Sequence, residues 1–298
     1  MNEKKKCPNC GLLIASDSEK CPYCGCMVQE EELRAMKSSK IVNNDNPKKE
    51  KNKFDKSILK FAERNDVSIP KEISLFLVIF VGLFLIAFVL GLIVSKYNKN
   101  FALTVNGISV TFFVEYLILF SVFLLILNKD LFTKFKKFLN KRTYLYGISY
   151  GFLVIVLTAL YSLIISYFYP NLTVNDNESS LRTIIKNYPV FSLIIAGFIG
   201  PFCEELGYRL GLFSLIRRWN RVAAYVGTAI VFALIHFSFS NPDVLVELLN
   251  IPSYLIAGFV FCYVYDKEGI ETSSVAHMTN NCFAIIMTIL SGILTNGQ

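Results

Sequence analysis

Histidine is scarce in this sequence, and so is the charge that keeps an ordinary domain in water. Only two histidines occur among the 298 residues, and both lie inside apolar segments. The hydrophobic fraction is 53% and the mean hydropathy is +0.47, which is too apolar for an ordinary soluble domain. The composition therefore excludes a soluble globular protein and predicts a membrane protein.

Seven apolar stretches follow residue 72, and they predict an all-α, polytopic transmembrane helix bundle of about seven spans. The first stretch alone reaches roughly 35 Å as a helix, enough to cross a hydrocarbon core of about 30 Å. The sixth is short, so we expect it to be tilted, broken or only partly spanning. The stretches are 73–95, 108–127, 144–169, 189–216, 222–239, 251–265 and 274–294.

Lysine and arginine orient this predicted bundle, because cytoplasmic loops carry the excess of positive charge. Residues 1–72 hold 15 of the 30 Lys and Arg, the 128–142 loop holds six, and residues 217–221 hold three. No cleavable secretory signal is visible, since the N-terminal region is charged and the first apolar run is too long. We therefore place the N-terminus in the cytoplasm and the C-terminus outside. The net charge of +7 then favours contact with anionic lipid headgroups, and nucleic acid is not an expected partner.

A repeated Cys-Pro-x-Cys-Gly unit opens the chain. It places Cys7 and Cys10 in one tight turn and Cys21 and Cys24 in another, which is the spacing of a structural tetrahedral zinc site. Disulfides fit poorly with a cytoplasmic N-terminus, where thiols stay reduced. The sequence thus predicts a zinc ribbon over residues 1–28 that folds only with its metal. Its four cysteine ligands leave no open coordination position for catalysis, and its partner is not specified.

A charged segment, residues 29–72, separates this ribbon from the membrane, and most of it reads as a solvated linker. Phe54, Ile58 and Phe61 recur at helical spacing near its end. They predict a short amphipathic helix that either lies on the membrane surface or continues the first span. The rest of the chain divides into the first two spans with their basic loop, 73–139, and a domain that carries the polar clusters, 140–298.

Three polar clusters interrupt apolar segments in that last domain. Ionisable groups cost several kcal/mol inside a bilayer, so clusters that include the only two histidines indicate a buried polar site. Glu115, in the second span, has no partner motif, and we interpret it as a polar contact that stabilises the bundle. The clusters are Glu204-Glu205-Leu-Gly-Tyr-Arg209, Phe232-Ala-Leu-Ile-His236 and His277-Met-Thr-Asn-Asn281.

Helical geometry divides the roles within these clusters. Residues four apart lie on one face, so Glu205 and Arg209 share a surface. Glu204 lies about 100° away around the helix. We therefore expect Glu205 to pair with Arg209 as a structural bridge, which leaves Glu204 free to face His236 and His277.

As a set, the clusters resemble the CAAX-protease and bacteriocin-processing intramembrane endopeptidases, also called the Abi family. The resemblance covers roughly residues 140–294, and it departs from the family at Leu210, where many members have glycine. It implies an intramembrane protease domain. The family pattern of EExxxR, FxxxH and HxxxN blocks matches Glu204, Glu205, Arg209, Phe232, His236, His277 and Asn281 at every position.

The resemblance implies hydrolysis of a peptide bond by an activated water, a reaction these residue types can perform. Glu204 would be the general base and His236 would hold or activate the water. His277 and Asn281 would donate hydrogen bonds to the oxyanion of the tetrahedral intermediate. Neither a covalent intermediate nor a catalytic cofactor is expected, and the structural zinc of the ribbon is the only metal.

Other chemistries remain open at the same residues. Two histidines and a carboxylate make a valid three-ligand zinc site, so Glu204, His236 and His277 would also suit a metalloprotease. Cys203 would suit a thiol mechanism, although a lone membrane cysteine is more often an apolar filler. A non-enzymatic immunity or scaffold protein would use the cavity only to bind a partner.

We expect the substrate to be a membrane peptide or a lipidated protein, but the sequence does not identify it. A prenylated C-terminal CAAX peptide, a leader-bearing pheromone or bacteriocin precursor, and a membrane regulator all suit a polar site under apolar walls. The Lys-, Asn-, Ile- and Phe-rich composition hints at a bacterial source, which favours the precursor or the regulator.

Overall fold

A computed structural model describes residues 4–6, 13–15, 18, 67–134 and 136–296. By its internal contacts the chain separates into two units, Met1–Asp66 and Val67–Gln298. In the first unit, β1 (Lys4–Lys6) pairs antiparallel with β2 (Leu13–Ala15), with Lys5 opposite Ile14. The predicted zinc ligands and the predicted amphipathic helix lie outside the described residues; these are Cys7, Cys10, Cys21, Cys24 and residues 54–61.

The second unit is an all-α bundle. Its shorter helical turns are Lys99–Ala102, Lys129–Lys134 and Lys136–Leu139. Its main helices, in chain order, are α1 (Ile69–Tyr97), α2 (Val105–Leu127), α3 (Lys141–Phe168), α4 (Asp176–Asn187), α5 (Pro189–Arg217), α6 (Arg221–Leu234), α7 (Val244–Glu268) and α8 (Ile270–Asn296).

Six of these helices are long and apolar enough to cross a membrane, namely α1, α2, α3, α5, α7 and α8. The chain is therefore a polytopic membrane protein. About seven spans were expected, but the described residues contain six helices of sufficient length. Helix α6 has only 14 residues, about 21 Å at 1.5 Å per residue, which is too short to cross a hydrocarbon core of about 30 Å.

The prediction that the sixth stretch is the short one was wrong. Helix α7 runs for 25 residues and continues through Pro252. Its first two turns contain polar residues that lowered the apparent hydropathy, yet Glu247 there is fully buried. Asp243 caps the helix by accepting a hydrogen bond from the Val246 amide at 3.3 Å. Inward-facing polar groups therefore hid the true length of this helix.

Ion pairs gather at one end of the bundle, the end that holds the basic loops. Helices α1 and α8 both begin there, because Glu72 lies near the start of α1 and Lys137 donates to the Glu268 carbonyl, two residues before α8. Helix α8 has 27 residues, about 40 Å at 1.5 Å per residue, and leads away from this end. The pairs are Lys71–Asp130, Arg218–Glu72 and Arg221–Asp266, each at 2.7 Å, and Arg217–Asp266 at 3.2 Å.

Two glycine pairs at four-residue spacing bring the helices of the site close to their neighbours. Gly207 and Gly211 pack α5 against α1, and a Cβ on Gly211 would lie 2.8 Å from the Phe76 amide nitrogen. Gly147 and Gly151 pack α3 against α8, and a Cβ on Gly151 would lie 2.7 Å from the Ala276 carbonyl oxygen. Small residues at such spacing allow backbones in a membrane to approach closely. Side chains on α5 and α8 are thereby held on rigid supports.

Candidate active site

A cavity of about 530 Å³ opens inside the second unit, between α1, α2, α4, α5, α6, α7 and α8. Its walls are largely apolar, with Phe112, Ile184 and Ile285 among them. Polar side chains converge at its inner end. All four predicted catalytic residues line it together with the two ionisable residues of α2 in its wall; these are Glu204, His236, His277, Asn281, Glu115 and Tyr116.

Helix α5 departs from regular α geometry on both sides of Glu204. Residues Leu193–Ile199 and Glu205–Phe213 form π-helical turns around a short α segment, Gly200–Glu204. Pro201 within that segment has no amide proton, so it leaves carbonyls of the preceding turn without their usual partner. Wide turns of this kind occur often at functional sites.

Side chains of α8 satisfy the carbonyls that this irregularity frees. Asn281 donates from Nδ2 to the Ala196 carbonyl oxygen at 3.1 Å, and the Cys282 thiol lies 3.5 Å from the Gly197 carbonyl oxygen. Neighbouring side chains commonly satisfy such groups where a membrane helix contains proline. Asn281 therefore fastens α8 to α5 with one amide hydrogen, while its other hydrogen remains available to the cavity.

Glu204 is the carboxylate that faces the cavity. It is 8% exposed, and its Oε1 accepts a hydrogen bond from the Tyr116 hydroxyl at 3.2 Å. Its Oε2 lies 3.8 Å from Nε2 of His277. This carboxylate thus keeps acceptor capacity directed into the cavity.

Glu205, the next residue, lies in a sealed cluster behind the cavity. Its carboxylate is fully buried and lies 2.9 Å from Nη1 of Arg209 and 2.9 Å from Nδ1 of His277. The Ser273 hydroxyl also donates to it. The expected bridge between Glu205 and Arg209 is present, but Glu205 faces a histidine as well, which the sequence analysis did not anticipate.

Aromatic rings enclose the guanidinium of Arg209. Its Cζ lies 4.4 Å from the centre of the Phe232 ring and 5.3 Å from that of Phe261. The Phe261 ring also stacks on His277, with the two centres 4.4 Å apart and the planes 24° apart. Cations are attracted to ring faces, so these two phenylalanines position both Arg209 and His277.

The contact with Glu205 determines what His277 can donate. In a neutral imidazole only one nitrogen carries a proton, and here Nδ1 donates to Glu205 Oε1. Nε2 of a neutral ring is then an acceptor, and it donates toward the cavity only when the ring is an imidazolium.

His236 lies just beyond the end of α6. The predicted apolar stretch 222–239 had placed it within the helix. Its Nδ1 lies 2.8 Å from the Phe232 carbonyl oxygen, one of the carbonyls that a helix end leaves unpaired. Because Nδ1 donates there, Nε2 of the neutral ring is an acceptor. Tyr254 stacks on the ring, with the centres 4.3 Å apart and the planes 20° apart.

The turn that carries His236 is held by α4 and α7. Asn175, the N-cap residue of α4, donates from Nδ2 to the His236 carbonyl oxygen at 3.0 Å. Glu247 accepts hydrogen bonds from the Ser238 amide at 2.9 Å, from the Asp176 amide at 2.9 Å and from Asn241 Nδ2 at 2.7 Å. The contacts of Asn175 with His236 and of Asp176 with Glu247 span 61 and 71 residues, which is why the sequence pattern did not reveal them.

Glu204, His236 and His277 are the side chains considered as ligands of a catalytic zinc. Among the described residues, no three side chains of His, Cys, Asp or Glu are arranged to hold a metal ion. Nε2 of His277 lies 3.8 Å from Glu204 Oε2, and Nδ1 of each histidine is held by another partner, as it also is in metal-ligating histidines.

Comparison with known families agrees with the reaction type that the clusters suggest. Residues 186–283 match the family model described as type II CAAX prenyl endopeptidase Rce1-like. The matched region contains all three polar clusters, from Glu204 to Asn281. It supports a peptidase of the CAAX protease type.

Two curated relatives resemble longer parts of the chain. An uncharacterized protein of Mycoplasma capricolum subsp. capricolum is 28% identical over 168 residues, 52% of this chain and 48% of the relative. The UPF0177 protein YvdC of Lactococcus lactis subsp. lactis is 24% identical over 185 residues, 61% of this chain and 67% of the relative. The chain thus spans about half the length of the first relative. No solved structure matches the chain.

Proposed function

We propose that this protein is an intramembrane endopeptidase that hydrolyses a peptide bond of a membrane-associated peptide or protein. The observation that carries the proposal is the convergence of Glu204, His236, His277 and Asn281 on one cavity inside the helix bundle. The match to the CAAX prenyl endopeptidase family supports the reaction type.

In the proposed reaction, a water molecule binds between Glu204 and His236. It donates one hydrogen to the Glu204 carboxylate and the other to Nε2 of His236. As its oxygen attacks the carbonyl carbon of the substrate, Glu204 takes a proton, and the carbonyl π electrons move to the oxygen. Correctly placed general bases typically contribute about 10²- to 10⁴-fold in rate.

The oxyanion that forms is bound by donors on α8. The free amide hydrogen of Asn281 and the Nε2 proton of an imidazolium His277 suit this role. When the intermediate collapses, the carbon–nitrogen bond breaks and Glu204 returns its proton to the leaving amine. Fixed donors of this kind stabilise charge that develops in the transition state.

The membrane peptidome tests this proposal directly. We expect peptides that wild-type cells produce to be missing when Glu204 is replaced by Gln, and their precursors to accumulate. Glu178→Gln is the matched control, because it removes another carboxylate that lines the cavity and that already pairs with Arg182 at 2.8 Å. If the peptides that wild-type cells produce persist both in Glu204→Gln cells and in cells that lack the protein, a non-enzymatic binding role replaces the proposal.

Metal content separates the glutamate mechanism from a zinc mechanism. We propose one structural zinc at Cys7, Cys10, Cys21 and Cys24, and none at the cavity. A variant without residues 1–28 should therefore lose its tightly bound zinc, measured by elemental analysis, and still cleave substrate. Zinc retained by that variant, and lost together with activity in His236→Ala, would show that the metal is catalytic.

A further inference from the structure

Glu115 on α2 belongs to the cavity but has no part in the proposed reaction. Its side chain is 6% exposed, and its Oε1 atom is buried without a hydrogen-bond partner. No hydrogen bond or ion pair to this carboxylate occurs among the described residues. Glu115 is therefore not the polar contact between helices that the sequence suggested, since among the described residues no hydrogen bond or ion pair joins it to another helix.

An isolated carboxylate is costly to bury in an apolar surrounding. Glu178 at the same cavity shows the usual solution, because Arg182 on the same helix pairs with it at 2.8 Å. Glu115 lacks such a partner within the described residues, although it lines the cavity where a ligand would lie. A cationic group of the substrate would supply the missing partner.

The charge of the cavity favours a cation over an anion. Among the described residues that line it, none is lysine or arginine. Arg209 lies close by but is fully buried behind Glu205. Glu204 faces His277 at 3.8 Å, whereas Glu115 lacks a compensating cation among the described residues of the cavity wall. A substrate that carries a basic side chain suits this field, whereas one that presents a free C-terminal carboxylate here does not.

The position of Glu115 places an ion pair with a basic side chain of the substrate near the bond that is cleaved. Its neighbour Tyr116 donates a hydrogen bond to Glu204 at 3.2 Å. An extended substrate rises about 3.3 Å per residue, so a side chain within about three residues of the cleaved bond reaches Glu115.

We propose that Glu115 is a specificity-determining residue that binds a lysine or arginine side chain of the substrate within about three residues of the cleaved bond. The inference rests on the proposed peptidase activity and names the substrate class of the same site. Glu115 takes no part in activating water.

The cut sites of the purified protein test the inference. Full-length protein in detergent is incubated with solubilised membrane proteins from cells that carry Glu204→Gln, in which uncleaved substrates accumulate. New N-termini are labelled and identified by mass spectrometry. Wild-type protein, Glu115→Gln and the control Glu178→Gln are compared, with Glu204→Gln as the background.

We expect lysine or arginine to be enriched near the cuts made by wild-type protein and by Glu178→Gln, and not near those made by Glu115→Gln. For a synthetic peptide with the most frequent cut, Glu115→Gln should lower kcat/KM roughly ten- to hundredfold, the effect of losing a charged hydrogen bond. The same peptide with Gln in place of its basic residue should lose this dependence on Glu115.

Cuts that depend on Glu204 but show no basic enrichment, or enrichment that survives Glu115→Gln, would overturn the inference and leave the peptidase proposal standing. Absence of any cut that depends on Glu204 would overturn both. Because Gln has nearly the same shape as Glu and removes an unpaired charge, Glu115→Gln should fold, and its cut sites remain readable.

Discussion

Glu204 and Glu205 are neighbours in the chain but lie in two regions of contrasting construction. Glu205 is enclosed, with Arg209, His277 and Ser273 as partners. Glu204 has one hydrogen bond, from Tyr116, and otherwise faces the cavity. A carboxylate whose acceptor sites are all occupied can only hold its neighbours in place. One with spare acceptor capacity beside a cavity can take a proton.

His277 connects the two regions. Its Nδ1 lies 2.9 Å from Glu205 and its Nε2 lies 3.8 Å from Glu204. The sealed region therefore sets the orientation and the proton position of a ring that reaches the cavity. Functional side chains need such support, because their geometry is held by hydrogen bonds from residues behind them.

The largest effect should come from Glu204→Gln. It removes the proposed general base but keeps an acceptor for Tyr116, so we expect kcat to fall by about 10³-fold or more. The melting temperature in detergent should stay close to that of the wild type. Cleavage of a substrate identified in the peptidome measures the first quantity, and a thermal shift assay measures the second. Wild-type turnover by this variant would show that another group is the base.

Arg209→Met should produce the opposite pattern. It leaves the buried carboxylate of Glu205 without its cation, and breaking such a pair typically costs about 3–5 kcal/mol of stability. We expect a lower melting temperature and less protein in the membrane. The double variant Glu205→Gln with Arg209→Met should be more stable than Arg209→Met alone, because no buried charge is left unpaired. A double variant that is less stable would contradict this view of the sealed region.

The sequence predicted the long apolar helices better than the polar segment between α6 and α7. Long apolar runs must form helices in a bilayer because every backbone polar group needs an internal partner. That rule located α1, α2, α3, α5 and α8. It failed around residues 235–250, where the turn after α6 and the start of α7 carry polar groups that face inward, such as Glu247.

Within the site, helical spacing predicted both the Glu205–Arg209 pair and a Glu204 that faces His277, which lies 3.8 Å away. The four-residue spacing of Glu205 and Arg209 correctly gave their ion pair. Ser273 and His277 are also four residues apart, and both contact Glu205. Their spacing could have predicted that they share one face of α8. Contacts between α2 and α5 leave no such signal, so the roles of Glu115 and Tyr116 required the structure.

A smaller effect should follow from Tyr116→Phe, which removes the one hydrogen bond that holds Glu204 from α2. The ring stays in place, packed edge-on against Phe112 with the ring centres 5.0 Å apart. We expect kcat to fall roughly tenfold, the size of a single hydrogen bond, with little change in KM. A change in KM alone would instead place the Tyr116 hydroxyl in substrate binding.

The smallest effect should come from Cys203→Ala, although Cys203 precedes Glu204 directly. Its side chain is fully buried and does not line the cavity, because adjacent helical residues point about 100° apart. A thiol in that position cannot reach a carbonyl carbon in the cavity. We expect cleavage to stay within about twofold of wild type, and the melting temperature to fall slightly as a small void forms. Complete loss of cleavage in a folded Cys203→Ala protein would instead support a thiol mechanism, and the contrast between Glu204 and Glu205 would then no longer explain catalysis.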